Sequence, residues 1–167
     1  MQGAWLNLKS SRLKVELPVV PGVYALVIIV LNEIELKTRR FELRLRPGCY
    51  VYIGSARGPG GLAARISRHL KLNKKVRWHI DHLTTKSVAI HYIVFSFNIS
   101  TECPLTPQLE LLGFKHCVKG FGNTDCKARC TSHLLRFDGG IDECVMYVAE
   151  AFKQAGFEPH ILALGRK

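Results

Sequence analysis

The chain has 167 residues, of which 47% are hydrophobic and 22% charged. This composition excludes disorder throughout the chain, and the length predicts one domain over residues 1–167. Lys and Arg number 24 against 13 Asp and Glu, and the net charge of +11 favours an anionic partner such as nucleic acid or a membrane surface. Residues 17–31, the longest apolar stretch, contain two prolines and a glycine, so no bilayer span is expected. The N-terminal segment has no apolar signal region, and we expect a cytoplasmic protein.

The first third of the chain predicts an antiparallel hairpin. Residues 23–31 are rich in Val and Ile and predict a buried strand. Residues 41–45 alternate apolar and charged side chains, as a half-exposed strand does, and a Pro-Gly turn then precedes a short strand over 49–53. Residues 23–53 are therefore predicted to form a hairpin whose middle segment carries the charges.

Two helices are predicted after this hairpin. Leu62, Ile66 and Leu70 recur at spacing four after a glycine-rich turn and form the apolar stripe of the first helix. Three basic side chains fall outside that stripe, namely Arg65, Arg68 and His69. The second helix is predicted over residues 77–85.

A long strand and a third helix follow. The strand is predicted over residues 88–97, with its apolar side chains on one face, namely Val88, Ile90, Tyr92 and Val94. Thr101 predicts the cap of a helix that runs to about Leu112 and ends at Gly113.

The last part of the chain predicts a loop, two strands and a helix. Residues 121–132 are typical of a loop, and 133–137 of a short strand. Apolar residues over 144–152 predict an amphipathic helix, and residues 157–164 predict a final strand. The order of elements indicates an α+β fold, with a small antiparallel or mixed sheet flanked by helices.

The basic charge is concentrated between residues 57 and 86, where eight Lys and Arg stand against one acid, Asp81. Cations on a helix and its following loop neutralise backbone phosphates, and an aromatic ring among them can stack on an unpaired base. The predicted nucleic-acid contacts are Arg57, Arg68, Lys71, Lys74, Lys75, Arg77 and Trp78. The alternative is a solvated helix face beside a core tryptophan.

Six cysteines are spread along the chain, and we expect mostly reduced, buried thiols. Cys126 and Cys130, followed by His133, form the one close group. Zinc sites usually have four ligands at tighter paired spacing, so zinc is not expected. Cys103 can reach Cys126 if the helix start and the loop meet, and a disulfide between them is the alternative in a thermophile.

An ordered set of motifs is more specific than the composition. Gly22-Val23-Tyr24 opens the first buried strand, and Tyr52-Ile53-Gly54-Ser55-Ala56 closes the hairpin. A glycine-rich turn and a helix with Arg65 and His69 follow. In this order the motifs resemble those of the GIY-YIG nuclease superfamily.

Further segments resemble one largely archaeal branch of that superfamily, which is of uncharacterised function. Among them are Arg77-Trp78-His79-Ile80-Asp81 and Thr101-Glu102-Cys103. Members of this branch stand alone or are fused to endonuclease III-type DNA glycosylases. The resemblance covers about residues 21–137, so we interpret 138–167 as an addition to a GIY-YIG-like core.

The resemblance implies hydrolysis of a phosphodiester with one divalent ion, Mg²⁺ or Mn²⁺, at the site. By matching position, Tyr24 is the candidate base and Tyr52 positions the water or the phosphate. Arg65 binds the phosphate and its developing charge, and His69 assists one helical turn further on.

The resemblance also implies a glutamate that holds the metal. Glu102 fits the branch pattern best, and Glu110 is its competitor on the same predicted helix. The alternative role of Glu102 is a first-turn carboxylate that complements the helix dipole. Superfamily members often have a late asparagine near the site, for which Asn123 and His133 are the candidates, and His79 is expected to border the cleft.

Two classes of function follow from these features. The first is a metal-dependent endonuclease acting on DNA, with a place in DNA repair beside other repair enzymes, as the glycosylase fusions suggest. The second is a non-catalytic nucleic-acid-binding accessory module with the same fold. An enzyme needs Tyr52, Arg65 and one glutamate together, whereas a binding module needs mainly the distributed charge.

Overall fold

A computed structural model describes residues 5–10, 13–86, 88–98 and 100–164, in which six strands precede the first helix and strands and helices mix thereafter. The strands in this part of the chain are β1 (Trp5–Ser10), β2 (Leu13–Pro18), β3 (Gly22–Val30), β4 (Ile34–Lys37), β5 (Glu42–Leu45), β6 (Gly48–Ala56), β7 (Val88–Ser96), β8 (Lys115–His116), β9 (Leu134–Phe137) and β10 (His160–Ala163). The helices are α1 (Gly61–Leu70), α2 (Asp81–Thr84), α3 (Leu105–Leu111) and α4 (Ile141–Gln154).

Six of the strands form one antiparallel sheet in the order β10-β7-β3-β6-β9-β8. The pairs β1-β2 and β4-β5 form two small sheets of their own. The α+β prediction is confirmed, including the antiparallel sheet, the flanking helices and the C-terminal helix and strand. The predicted hairpin is formed by β3 and β6, whereas its charged middle segment pairs with β4 outside the main sheet.

The main sheet separates two hydrophobic cores. Successive side chains of a strand point to opposite faces, so Tyr24 and Leu26 join one cluster while Val23 and Ala25 join the other. Buried side chains of α1 cover the first cluster, and those of α3 and α4 cover the second. We name these two sides of the sheet the α1 face and the α4 face.

Strand β7 departs from the predicted alternation. Its register against β3 shifts at one point, so that Val27 pairs with Tyr92 while Ile28 pairs with Ile90. His91 is the extra residue of this bulge, and one extra residue turns the following side chains to the opposite face. Val88 and Ile90 therefore pack on the α1 face and Tyr92 on the α4 face, and the prediction of one shared face is wrong.

The third helix begins later than predicted. Helix α3 starts at Leu105 after Pro104, and no side chain caps it, so Thr101 is not its cap. The Glu102 carbonyl accepts a hydrogen bond from the Leu105 N–H at 2.9 Å, which places Glu102 in the turn before the helix. The first turn of α3 contains no acidic residue, and the alternative role of Glu102 as a first-turn carboxylate is wrong.

The C-terminal segment is built into the second core. Helix α4 buries one side of its surface against the α4 face, through Cys144, Val145, Val148, Ala151 and Phe152. Strand β10 then pairs with β7 and forms one edge of the main sheet. Among the described residues, none of the helices has both the length and the apolar character needed to cross a membrane.

Candidate functional site

A cleft of about 710 Å³ opens on the α1 face of the sheet. Four of the residues singled out by the sequence motifs line it together: Tyr24 from β3, Tyr52 from β6, Arg65 from α1 and Glu102 from the turn before α3. The tertiary structure therefore places two hydroxyls, one guanidinium and one carboxylate around a shared space.

His69 lies behind the cleft and contacts Tyr24, which lines it. The Tyr24 hydroxyl lies 2.7 Å from Nε2 of His69, and both side chains are buried. Burial lowers the pKa of His69 to about 3, because a charged imidazole loses its hydration there. At neutral pH the ring is therefore uncharged, and in the tautomer that carries its proton on Nδ1, Nε2 accepts a hydrogen bond from the Tyr24 hydroxyl.

Acid should destabilise the protein through His69. The unfolded-state pKa is 6.5 and the folded-state pKa is about 3, so the stabilisation is complete above 6.5 and is lost as the pH falls towards 3. Across this window we expect the free energy of unfolding of the wild type to fall, relative to a His69→Gln variant, by about 1.4 kcal/mol per pH unit. Urea unfolding of both proteins at several pH values measures this difference, and parallel pH profiles would contradict it.

Burial also raises the pKa of both cleft tyrosines. For Tyr24 burial is the largest cause and the neighbouring Tyr52 the second, whereas for Tyr52 burial is followed by the negative charge of Glu102. The Arg65 charge lowers both pKa values, but by less than burial raises them. Tyr24 is therefore not an ionised base at neutral pH; its hydroxyl donates to His69 and has lone pairs that can accept a hydrogen bond from water.

Glycines make room for both tyrosines. Tyr24 and Gly54 are paired across β3 and β6, and a Cβ atom on Gly54 would lie 2.5 Å from the Tyr24 hydroxyl oxygen. Gly122 has a φ of +74°, and a Cβ atom there would lie 2.8 Å from Cε2 of Tyr52. The glycine that follows Tyr52-Ile53 in the sequence motif is therefore needed for the position of the other tyrosine.

A Gly54→Ala substitution should displace the Tyr24 hydroxyl from His69. Forcing a methyl group into this contact is expected to lower the free energy of unfolding by about 1–3 kcal/mol. Gly58→Ala is the matched control, because a Cβ atom at Gly58 meets no other atom within 4 Å. Urea unfolding compares the two variants, and equal stabilities would show that the Tyr24 ring moves aside at no cost.

Trp78 holds Arg65 in the cleft wall. The guanidinium carbons of Arg65 and Arg68 lie 4.2 Å and 4.5 Å from the centroid of the Trp78 ring. A cation–π contact attracts a guanidinium group without neutralising its charge. With two cations over its ring, Trp78 positions arginine side chains, and its stacking on a base stays a prediction. No described carboxylate forms an ion pair with Arg65, so its charge is available to a ligand in the cleft.

A buried carboxylate organises the segment between α1 and α2. Asp81 is fully buried, pairs with Arg68, and accepts hydrogen bonds at Oδ2 from the backbone N–H groups of Arg77 and Trp78 at 2.9 Å and 3.1 Å. The carboxylate thereby fixes the backbone that carries Trp78 and, through Trp78, the position of Arg65.

Lys74 belongs to this buried cluster rather than to the basic surface. Its ammonium lies 3.6 Å from Oδ1 of Asp81 and donates to the backbone carbonyls of Arg68 and His69. The Lys74 side chain is only 3% exposed, so the prediction that it contacts phosphate is wrong. Arg68 uses one nitrogen for Asp81 and the Lys75 carbonyl, so its main role is also structural.

The cleft is nevertheless strongly basic. Five cations line it against two acids; the cations are Arg40, Arg57, Arg65, Arg77 and Lys127, and the acids are Glu102 and Asp125. Lys71 and Lys75 are exposed outside the cleft lining. Sequence reasoning missed Arg40 and Lys127, because they lie in the β4-β5 hairpin and the 117–133 loop, and no local signal places either segment at the cleft.

Glu102 is the glutamate in the cleft. Its Oε1 lies 3.3 Å from Nδ1 of His133, and its side chain is 15% exposed. Glu110 instead lines a second cavity of about 490 Å³ and contacts Nε2 of His116 at 2.6 Å. Of these two candidates, Glu102 alone can hold a cation beside Tyr52 and Arg65.

The remaining candidates differ in their placement. His79 lines the cleft and accepts a hydrogen bond at Nδ1 from the Gly122 N–H at 3.0 Å, which ties the 117–133 loop to the cleft wall. Burial lowers the pKa of His79 and so favours this neutral acceptor. His133 also lines the cleft, whereas Asn123 donates to the carbonyls of Cys130 and Thr131 and lies outside the lining.

Comparison with known proteins gives one match. A family model described as a domain of unknown function, DUF123, matches residues 23–157. No curated protein and no solved structure matches the chain. The matched region begins in β3 and ends just after α4, so it contains every residue that lines the cleft and most residues of the two hydrophobic cores. Because this match spans well over half of its length, the chain belongs to the DUF123 family.

Proposed function

We propose that the protein is a metal-dependent endonuclease that hydrolyses phosphodiester bonds in DNA. The observation that supports this most is the meeting of Tyr24, Tyr52, Arg65 and Glu102 in one basic cleft. These side chains provide a hydrogen-bonded proton acceptor, a cation for phosphate and a carboxylate for a metal ion, which are the groups that phosphodiester hydrolysis requires.

The first part of the proposal concerns the attacking water. A water held by the Tyr24 hydroxyl can give a proton to the Tyr24 oxygen while the Tyr24 proton moves to Nε2 of His69. The water oxygen then forms its bond to phosphorus as the bond to the leaving oxygen breaks. Tyr24 thus relays the proton, and neutral His69 receives it, although burial makes His69 a weak base.

The second part concerns the phosphate. The unpaired guanidinium of Arg65 can donate two hydrogen bonds to the non-bridging oxygens, whose negative charge grows as the water attacks. Trp78 keeps the guanidinium in the cleft wall, and the Tyr52 hydroxyl supplies a further donor on the β6 side. The exposed cations Arg57 and Arg77 contact the neighbouring phosphates of the strand.

The third part concerns the divalent ion. Mg²⁺ is usually held by one or two carboxylates together with water and substrate phosphates, and Glu102 fits this role because only its Oε1 faces His133. Glu102 would hold Mg²⁺ or Mn²⁺, and the bound ion would neutralise charge on the leaving oxygen. DNA as the substrate, and a role in repair, are proposed from the GIY-YIG resemblance and the glycosylase fusions of that branch.

Binding to DNA should weaken steeply as salt is added. Each neutralised phosphate contributes a slope of about −0.9 in a plot of log affinity against log salt. We expect Lys75→Ala and Arg77→Ala each to reduce the slope by about one, whereas Lys153→Ala on the α4 face leaves it unchanged. Fluorescence anisotropy across a salt series measures the slopes, and a wild-type affinity that is insensitive to salt would argue against the basic surface.

A cleavage screen tests the proposed activity directly. Flapped, branched, abasic and single-stranded DNA are incubated with the purified protein in Mg²⁺ or Mn²⁺, with matched RNA substrates in parallel. We expect cleavage of at least one DNA structure, dependent on the ion and lost in Glu102→Gln, which removes the charge but keeps the shape. Tight binding without cleavage under every condition would favour the accessory module, in keeping with the weak basicity of the Tyr24–His69 pair.

A further inference from the structure

Three cysteines and one histidine meet at the edge of the cleft, and none of them takes part in the proposed reaction. Cys103 precedes α3, Cys126 and Cys130 lie in the 117–133 loop, and His133 directly precedes β9. One ligand atom from each of the four lies within 4.8 Å of the other three. From this cluster we propose that the protein binds one structural zinc ion through Cys103, Cys126, Cys130 and His133.

The distances fit a shared ion better than a disulfide. The sulfur atoms of Cys103 and Cys126 are 3.3 Å apart, whereas a disulfide needs about 2.05 Å. Two thiolates on a tetrahedral zinc ion, each about 2.3 Å from the metal, stand about 3.8 Å apart. A disulfide would also leave Cys130 and His133 beside it without a partner, while zinc uses all four groups. Three thiolates with one imidazole form a common structural zinc set.

His133 is an independent indication of a ligand. It is only 1% exposed, and neither of its ring nitrogens forms a hydrogen bond with any described residue. An unpaired buried imidazole nitrogen costs free energy unless it has a partner such as a metal ion. With Nδ1 3.3 Å from the Glu102 carboxylate, we assign Nε2 to the metal, and Glu102 orients the ring as carboxylates commonly do for zinc-bound histidines.

The backbone and a hydroxyl already support the sulfur atoms. The Cys130 N–H donates to the Cys126 sulfur at 3.4 Å, and the Thr106 hydroxyl donates to the Cys130 sulfur at 3.6 Å. Such donors favour thiolates, which are the form that binds metal. The side chain of Asn123 donates to the Cys130 carbonyl and keeps the Cys126–Cys130 turn closed.

The sequence argument against zinc relied on spacing along the chain, with one close cysteine pair. Folding supplies the other two ligands from the ends of α3 and β9. A zinc ion here would join the 117–133 loop, which contains no helix or strand, to two elements of the sheet and helix framework. It would thereby fix the loop that carries Gly122 and Lys127 into the cleft, and hold Glu102 in place through His133.

Metal analysis of the tag-free, full-length protein, purified under reducing conditions without chelator, tests this proposal. We expect about one zinc per chain by mass spectrometry, and a cobalt-substituted protein with the visible bands of a tetrahedral thiolate site. Cys126→Ser and Cys130→Ser should reduce the zinc affinity by about tenfold or more. Cys117→Ser is the matched control, because Cys117 lies in the same segment but outside the cluster, and should keep its zinc.

The outcome is separable from the proposed nuclease activity. Glu102→Gln should keep the zinc, since the four proposed ligands are unchanged and an amide oxygen can take the place of Oε1 beside the His133 ring, while losing any Mg²⁺-dependent cleavage. If the serine variants do not fold, the cobalt spectrum of the wild-type protein still shows whether a tetrahedral thiolate site is present. Wild-type protein without zinc and without cobalt–thiolate bands would overturn the proposal, as would an intact mass two hydrogens lower that maps to a Cys103–Cys126 disulfide.

Discussion

Arg65→Ala should reduce DNA cleavage by about a thousandfold while leaving the affinity for DNA nearly unchanged. In the proposed reaction the guanidinium meets charge that develops as the water attacks, so its loss raises the barrier far more than it weakens the bound state. The other exposed cations of the surface still neutralise the DNA backbone. Arg65→Lys should restore only part of the rate, because an ammonium group cannot reproduce the two parallel hydrogen bonds.

The measurement combines single-turnover cleavage with anisotropy on the same preparations. Lys153→Ala removes one charge from the α4 face and serves as the control, with wild-type rate and affinity expected. Circular dichroism establishes that each variant is folded. A folded Arg65→Ala protein that cuts at the wild-type rate would show that the phosphate is held elsewhere.

Asp81→Ala should destabilise the fold by about 3–5 kcal/mol. The carboxylate is fully buried, and its removal leaves the Lys74 ammonium without its counter-charge and two backbone N–H groups without an acceptor. Uncompensated buried charge is one of the few single defects that costs this much. The Trp78 segment should loosen as well, so any cleavage should fall together with stability.

Urea unfolding at neutral pH measures the loss, and it can be followed by tryptophan fluorescence, to which Trp5 and Trp78 both contribute. Asp138→Asn is the control, because Asp138 is half exposed and contacts Lys115 and Arg136 at the surface, where ion pairs contribute little. A Lys74→Met variant should be destabilised less than Asp81→Ala, since an apolar chain can fill the same space. Equal stability of Asp81→Ala and wild type would mean that the cluster contributes nothing to the fold.

Local pattern was enough to predict the central elements of the fold. The run rich in Val and Ile predicted β3, the turn before residue 49 predicted β6, and apolar residues four positions apart predicted α1. Each of these signals is contained in about ten consecutive residues. Strands β1, β2 and β4 were not predicted from the sequence, and neither was β8, whose two residues are too few to show a pattern. The bulge in β7 was not predicted because it depends on the pairing register between β7 and β3, which neither segment specifies alone.

The candidate site was likewise predicted from the sequence only in part. Tyr24, Tyr52 and Arg65 could be named because they belong to an ordered motif, and Glu102 was preferred to Glu110 on the branch pattern. Only the folded chain shows that Glu102 lines the cleft while Glu110 lines the second cavity. The Tyr24–His69 pair joins residues 45 positions apart, so only packing reveals it.

Composition and pattern alone determined the fold class, the positive charge and the order of the motif residues, since these are properties of the chain itself. The tertiary structure determined which charged side chains are exposed to a ligand and which thiols lie close together. Lys74 counts as a surface cation in the sequence, but folding buries it against Asp81. Cys103 lies 23 residues from Cys126, yet the two sulfurs become neighbours because the 117–133 loop folds back against the turn before α3. Burial and long-range contact depend on how the whole chain packs around its two cores, and no local segment contains that information.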